Sequence, residues 1–208
     1  PPADASSPST FHHSSTPQLI QSTLLRAHSM LSSFGSSSPL LPLLTPLVDV
    51  LVSTLAFSES TQGDGEADED KEDLSPAGNL LKVVIRGEAE RGSVQGNKMV
   101  ATVHRLSGSS SPLSRTVGVS LCPVLWPFCS QPYLLQLRGI VTRALHDVDS
   151  SVRRATSRVL MSVVGLARET SWLVLMCERA MTDPVGELRG LAVQLVVAIC
   201  VNGIQAGG

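Results

Sequence analysis

The chain has 208 residues and a net charge of −2, with 42% hydrophobic and 16% charged residues. That is enough for one or two domains. It excludes a chain disordered throughout, and it leaves no global attraction toward nucleic acid or anionic lipid. Aromatics are only 3%, so a core must come from Leu, Val and Ala, which suits stacked helices and disfavours a β-sandwich.

Residues 1–17 are rich in Ser, Pro and Thr around His12 and His13. Such a composition cannot bury enough apolar surface to offset its ordering entropy, so a flexible tail is expected. The His pair has no partner ligands and predicts no metal site. The chain begins at Pro1 rather than Met, the pattern expected of a fragment or a processed product, so a signal peptide cannot be judged from it.

Residues 18–58 predict a helix pair. Leu19, Ile20, Leu24, Ala27 and Leu31 recur at helical spacing, Gly35 to Ser38 interrupts, and Leu43, Leu47, Val50, Leu51 and Leu55 share a second face. The apolar run Leu40 to Phe57 holds Pro42, Pro46 and Asp49 and lacks basic flanks, which argues against a membrane span.

Residues 59–132 read as an acidic and Gly/Ser/Pro-rich linker or insertion. Asp64, Glu66, Asp68, Glu69, Asp70, Glu72 and Asp73 crowd like charges together, as a solvated loop does. Asn79 to Arg86 fits a short helix or strand. Beyond it, Gly87, Gly92, Gly96, Gly108 and Gly118, the Ser109-Ser110-Ser111-Pro112 run, Pro123 and Pro127 interrupt every longer pattern.

From Tyr133 the pattern is orderly. Leu137, Ile140, Val141, Ala144 and Leu145 mark a first helix. Val152, Thr156, Val159, Leu160, Val163, Val164 and Ala167 mark a second, with Arg153, Arg154, Ser157, Arg158 and Ser162 on its watery side. Trp172, Leu173, Met176, Cys177 and Ala180, then Leu188, Leu191, Ala192, Leu195, Val196, Ile199 and Cys200, repeat the plan. In this last helix Val193, Val197, Ala198 and Val201 make the opposite face apolar too, so burial on two sides, self-association or a continuing stack is expected. Residues 203–208 form a Gly-rich end.

Two windows organise this half: Asp147-Val148-Asp149-Ser150-Ser151-Val152-Arg153 and Asp183-Pro184-Val185-Gly186-Glu187-Leu188-Arg189. Val152 and Leu188 lie 36 residues apart, a repeat length found in helical solenoids. The Asp-Pro-x-x-Glu-Leu-Arg form resembles the inter-helix turn of HEAT repeats, and the HEAT/armadillo-like likeness covers residues 133–202. It implies an all-α fold, an α-solenoid of antiparallel helix pairs; the composition of the other stretches adds long disordered or irregular segments to that expectation. It also implies a polar ladder in which Asp147 or Asp149 and Arg153 bond across to Arg189 and Asp183.

Function follows as expectation. Stacked helix pairs offer surface rather than an enclosed pocket, so other proteins are the expected partners. Members of that family serve as adaptors, assembly factors, regulatory subunits and transport receptors. Arg154 and Arg158, four residues apart, are the candidate contacts for an acidic partner. Nucleic-acid binding through exposed Arg is the alternative. Residues 133–208 hold eight Arg against six acids, a thin excess for phosphate contacts. Catalysis is not expected: His146 adjoins Asp147, but no Gly-x-Ser-x-Gly elbow occurs, and no cofactor motif is present. Cys122, Cys129, Cys177 and Cys200 form no Cys-x-x-Cys and read as reduced thiols used as small hydrophobes, pointing to a cytoplasmic or nuclear setting.

Overall fold

A computed structural model describes residues 76–166 and 170–206, together with Arg26 and Ser29. The expected tail over 1–17, nearly all of the helix pair over 18–58 and the acidic run lie outside the described residues. Among those described, the secondary structure is all helical, with no strand. In chain order the elements are α1 (Pro76–Glu90), α2 (Ser93–Ser107), α3 (Pro112–Ser120), α4 (Cys122–Leu125), a 3-10 turn (Trp126–Phe128), α5 (Gln131–Ala144), α6 (Ser150–Val163), α7 (Thr170–Ala180) and α8 (Gly186–Ala206).

The expectation of a linker through residue 132 is therefore corrected from Pro76 onward. The residues taken for breakers sit where helices tolerate them. Pro112, Pro123, Pro127 and Pro132 each occupy the first turn of an element, where a missing backbone N–H leaves no bond unmade. Ala77, Leu80, Leu81, Val84, Ile85 and Ala89 make the buried stripe of α1. Gly92, at φ 133°, turns the chain from α1 into α2, a left-handed backbone that a side chain resists. Gly118 lets α3 cross α2 closely: a Cβ there would lie 2.7 Å from the Ser107 amide nitrogen and 2.9 Å from Leu106 Cβ.

Helices α2 and α3 pack together, α5 lies on α2 and α6, and α7 lies on α8. Within this arrangement α3 packs on α6, and α6 packs on α8, in chain order. One apolar cluster runs through all of them, from Ala77 on α1 to Leu195 on α8. Each fully covered Leu in it, such as Leu125, Leu137 or Leu160, contributes about 1.5–3 kcal/mol of transfer free energy.

The described stripe of α6 is buried as its spacing predicts: Val152, Thr156, Val159, Leu160, Val163 and Val164. Its polar member, Thr156, donates its hydroxyl to the Val152 carbonyl at 2.7 Å, so no donor is stranded. The watery side of α6 is a correction. Ser162 is exposed, but Ser157 is buried and the Arg153 side chain is 11% exposed. Helical periodicity records the strongest packing face, and α6 packs against α3, α4, α5 and α8. On α8, Val193, Val197 and Val201 remain exposed, at 55%, 58% and 49%. Among the described residues, no helix is long and apolar enough to cross a membrane.

Candidate functional site

Each turn that leads into α3, α6 or α8 repeats one hydrogen-bonded corner. In the middle one, Arg153 Nη1 donates to the carbonyls of Asp147 and Val148 at 2.9 and 3.1 Å. In the last, Arg189 Nη1 donates to the carbonyls of Asp183 and Pro184 at 2.7 and 3.0 Å. In the first, Arg115 Nη1 donates to the carbonyls of Ser109 and Ser110 at 3.1 and 2.7 Å. The arginine thus ties down the carbonyls six and five residues before it, in the turn that leads into its own helix.

The residue six before each arginine completes the corner. The Asp147 carboxylate accepts the Asp149 N–H at 2.9 Å, and that of Asp183 accepts the Val185 N–H at 2.8 Å. Ser109 does the same with its hydroxyl, accepting the Ser111 N–H at 3.2 Å. These are Asx-type turns with a serine variant. Asp149 caps α6, accepting the Ser151 N–H at 2.8 Å, and Ser111 caps α3, accepting the Ser114 N–H at 3.0 Å.

The remaining edge of each guanidinium reaches forward to the next corner. Arg115 meets Asp147 through Nε at 2.7 Å and Nη2 at 2.9 Å. Arg153 meets Asp183 through the same atoms at 2.7 and 3.3 Å. Such two-pronged pairing suits the planar fork of arginine and the two carboxylate oxygens. Of the residues expected in a ladder, Arg153 and Asp183 meet. Asp149 takes no arginine and serves as a cap. Asp147 pairs with Arg115 rather than Arg189. Arg189 has no carboxylate partner among the described residues.

Arg115 is the member that sequence reasoning missed. Its signal was an Arg six residues after Ser109, the first residue of a Ser-Ser-Ser-Pro run, with serine standing where the later corners carry aspartate. Arg154 and Arg158, the arginines expected to face an acidic partner, both make contacts within the chain. Arg154 Nη2 donates to Glu187 at 2.6 Å, joining α6 to α8, and Arg158 is half-buried and engaged within the chain.

The ladder carboxylates are acid-shifted. Burial alone would raise the Asp147 carboxyl, but the Arg115 hydrogen bond, the Asp149 N–H and the charges of Arg115 and Arg153 together hold it below the ordinary 3.8. Burial likewise opposes ionisation at Asp183 and is outweighed by Arg153, the Val185 N–H and the charge of Arg189. Arg153 is shifted up, first by its bond to Asp183. A carboxyl with a depressed folded value adds stability that is whole above its unfolded value and is lost as pH falls through the folded one. The expected urea midpoint is accordingly level from about pH 7 to about pH 5 and falls below about pH 4. Asp183→Asn should flatten that acid limb, and an unchanged limb in urea titrations would contradict the assignment.

Other side chains near the corners are matched within the chain. His146 Nε2 accepts from Arg179 Nη1 at 2.6 Å, since a guanidinium only donates. A shallow cleft of about 250 Å³ lies there, bounded by Asp147, Arg153, Arg179 and Asp183. A second, of about 400 Å³, is lined by Trp126, Cys129, Leu134, Arg138 and Leu166. Beside it Trp126 stacks on Trp172 with centroids 5.7 Å apart, and the Arg138 guanidinium lies 5.6 Å over the Trp172 ring. No group of His, Cys, Asp and Glu able to hold a metal occurs among the described residues.

All four cysteines are free thiols. Burial pushes the Cys122 thiol up to about 12 and the Cys129 thiol up to about 11. Cys177 is buried and also shifted up, chiefly by burial, whereas Cys200 is exposed. Iodoacetamide at neutral pH should therefore modify Cys200 first in the folded chain and Cys122 last, since the thiolate is the reactive form. Peptide mapping reads the order, and early labelling of Cys122 would contradict its burial.

No protein-family model and no curated protein matches this sequence.

Proposed function

We propose that the chain is a non-catalytic protein-binding scaffold or adaptor, built as a HEAT-like α-solenoid of antiparallel helix pairs. The observation that carries this reading is the repetition of one corner three times, with arginines at 115, 153 and 189 making the same two carbonyl bonds. Units that repeat a local bond set and contact their neighbours in chain order behave as a one-dimensional stack. A stack of this kind exposes long helix faces to other proteins. Arg115 and Arg153 are spent on Asp147 and Asp183, which supports a structural role for these four. A regulatory subunit or an assembly factor fits this chemistry.

The test is purification of the full chain at near-physiological ionic strength, about 0.15 M. The expected result is one or more protein partners in fixed stoichiometry, with no turnover of generic esterase and phosphatase substrates. A chain that purifies alone and turns over either substrate would overturn the reading.

A further inference from the structure

The densest charge in the sequence ends just before α1. Residues 64–73 hold seven acids against one base, Lys71, and Asp73 stands three residues before Pro76, where α1 opens. The hairpin of α1 and α2 has the opposite sign. Residues 76–107 carry Lys82, Arg86, Arg91, Lys98 and Arg105 against Glu88 and Glu90. Arg91 is paired with Glu88 at 2.9 Å. Lys82, Arg86 and Lys98 are exposed, and among the described residues no carboxylate meets any of the three. The arginines of the later helices differ: Arg115, Arg153 and Arg154 are held by Asp147, Asp183 and Glu187. Lys82 and Arg86 lie one turn apart on the water side of α1. Arg86 and Lys98 each stand six residues from Gly92, where the hairpin turns, so they lie at a similar height on it.

We propose that residues 64–73 are an intramolecular ligand of this hairpin. Their carboxylates seat on Lys82, Arg86 and Lys98, and an acidic segment of any other protein reaches these cations only by displacing them. Charge selects the occupant, and chain length allows it. Helix α1 carries Arg86 about 15 Å beyond Pro76, and the chain from Asp64 to Pro76 extends to about 40 Å. Proximity decides between this run and other acids. A ligand joined by so short a stretch acts at an effective concentration near the mM range, whereas the same run on a second copy, or an acidic peptide in solution, has no such advantage. The contact is at the surface, so salt screens it. The proposal does not need the scaffold reading, and its failure leaves that reading standing.

The chain has three lysines, Lys71, Lys82 and Lys98, so a water-soluble carbodiimide tests the contact at single residues. It joins a lysine amine to a carboxylate as an amide and takes up the water as its urea. Lys98 is the informative site, because Lys82 is close to Asp73 along the chain in any case. The expected result with the whole chain at about 0.05 M salt is an intrachain link from Lys98 to residues 64–70, located by peptide mapping. Its yield should fall about fivefold at about 1 M salt, where the Debye length is about 3 Å. Arg86→Glu should lower it by a similar factor. Because Arg86 is exposed, this change leaves the fold intact, and far-UV circular dichroism checks it. A control lysine at another exposed position, made by Gln136→Lys on α5, should link to the run at about a tenth of the Lys98 yield. Lys98 links that ignore both salt and Arg86→Glu, or that only match the control, would overturn the proposal. So would links found only between two chains, which a denaturing gel separates by mass. Converting the seven acids to their amides should also tighten binding of a fluorescein-labelled polyglutamate peptide by about tenfold, as loss of a competitor near the mM range requires. Unchanged binding would overturn the proposal as well.

Discussion

Replacing Arg153 with Met should cost the fold about 3–5 kcal/mol, the largest loss expected from any single polar change in this chain. The new side chain keeps the aliphatic stem and removes the charge. Asp183, with a side chain 7% exposed, would then hold a buried carboxylate whose strongest partner is gone. The carbonyls of Asp147 and Val148 lose their donor in the same step. Leaving one member of a covered pair behind is much worse than removing both. The double change Arg153→Met with Asp183→Leu should therefore recover part of the loss. Urea denaturation of the four chains gives the coupling directly. A single substitution costing less than about 1 kcal/mol, the range of exposed ion pairs, would mean that the corner is not structural.

Gly118→Ala should cost about 1–3 kcal/mol through overpacking. In an open helix the same change is favourable by up to about 1 kcal/mol, because alanine loses less backbone freedom on folding. The sign is therefore diagnostic. At position 118 the new methyl would meet the Ser107 amide at 2.7 Å and the Leu106 side chain at 2.9 Å, and a main-chain atom cannot swing away. Gly190, inside α8, provides the opposite case, since a Cβ there meets nothing within 4 Å. Gly190→Ala should raise stability by about 0.5–1 kcal/mol. Thermal melts of both variants check the pair, and two changes of the same sign would contradict the close crossing of α2 and α3.

The second half of the chain was legible because its signals are local. An Asp-to-Arg window and a stripe at helical spacing lie within a dozen residues, and α5 to α8 follow from them. The segment from Pro76 to Phe128 was misread because proline and glycine are ambiguous in sequence. Pro112 and Pro123 look like interruptions but open helices, and Gly118 looks like a break but sits at a crossing. Whether a glycine ends a helix or admits a neighbour depends on a partner that the local sequence does not name.

The register of the ladder was illegible for a related reason. The residues were visible, but the direction in which each arginine reaches is set by stacking. Each reaches forward, so Asp147 belongs to Arg115, which had been placed in a linker. The same blindness assigned Arg153, Arg154 and Ser157 to water. A helix packed on several flanks shows only its strongest stripe to a period count, and a weaker flank holds the polar pairs that bind one unit to the next.

The stacked indoles carry a practical consequence. The chain has two tryptophans, and these two rings lie 5.7 Å apart although one comes from the 3-10 turn before α5 and the other from α7. Their transitions couple, so near-ultraviolet dichroism carries a contribution from the pair that exists only while distant parts of the chain are assembled. Light thus gives a label-free readout of that assembly, sensitive to loosening of α7 even where helix content stays constant.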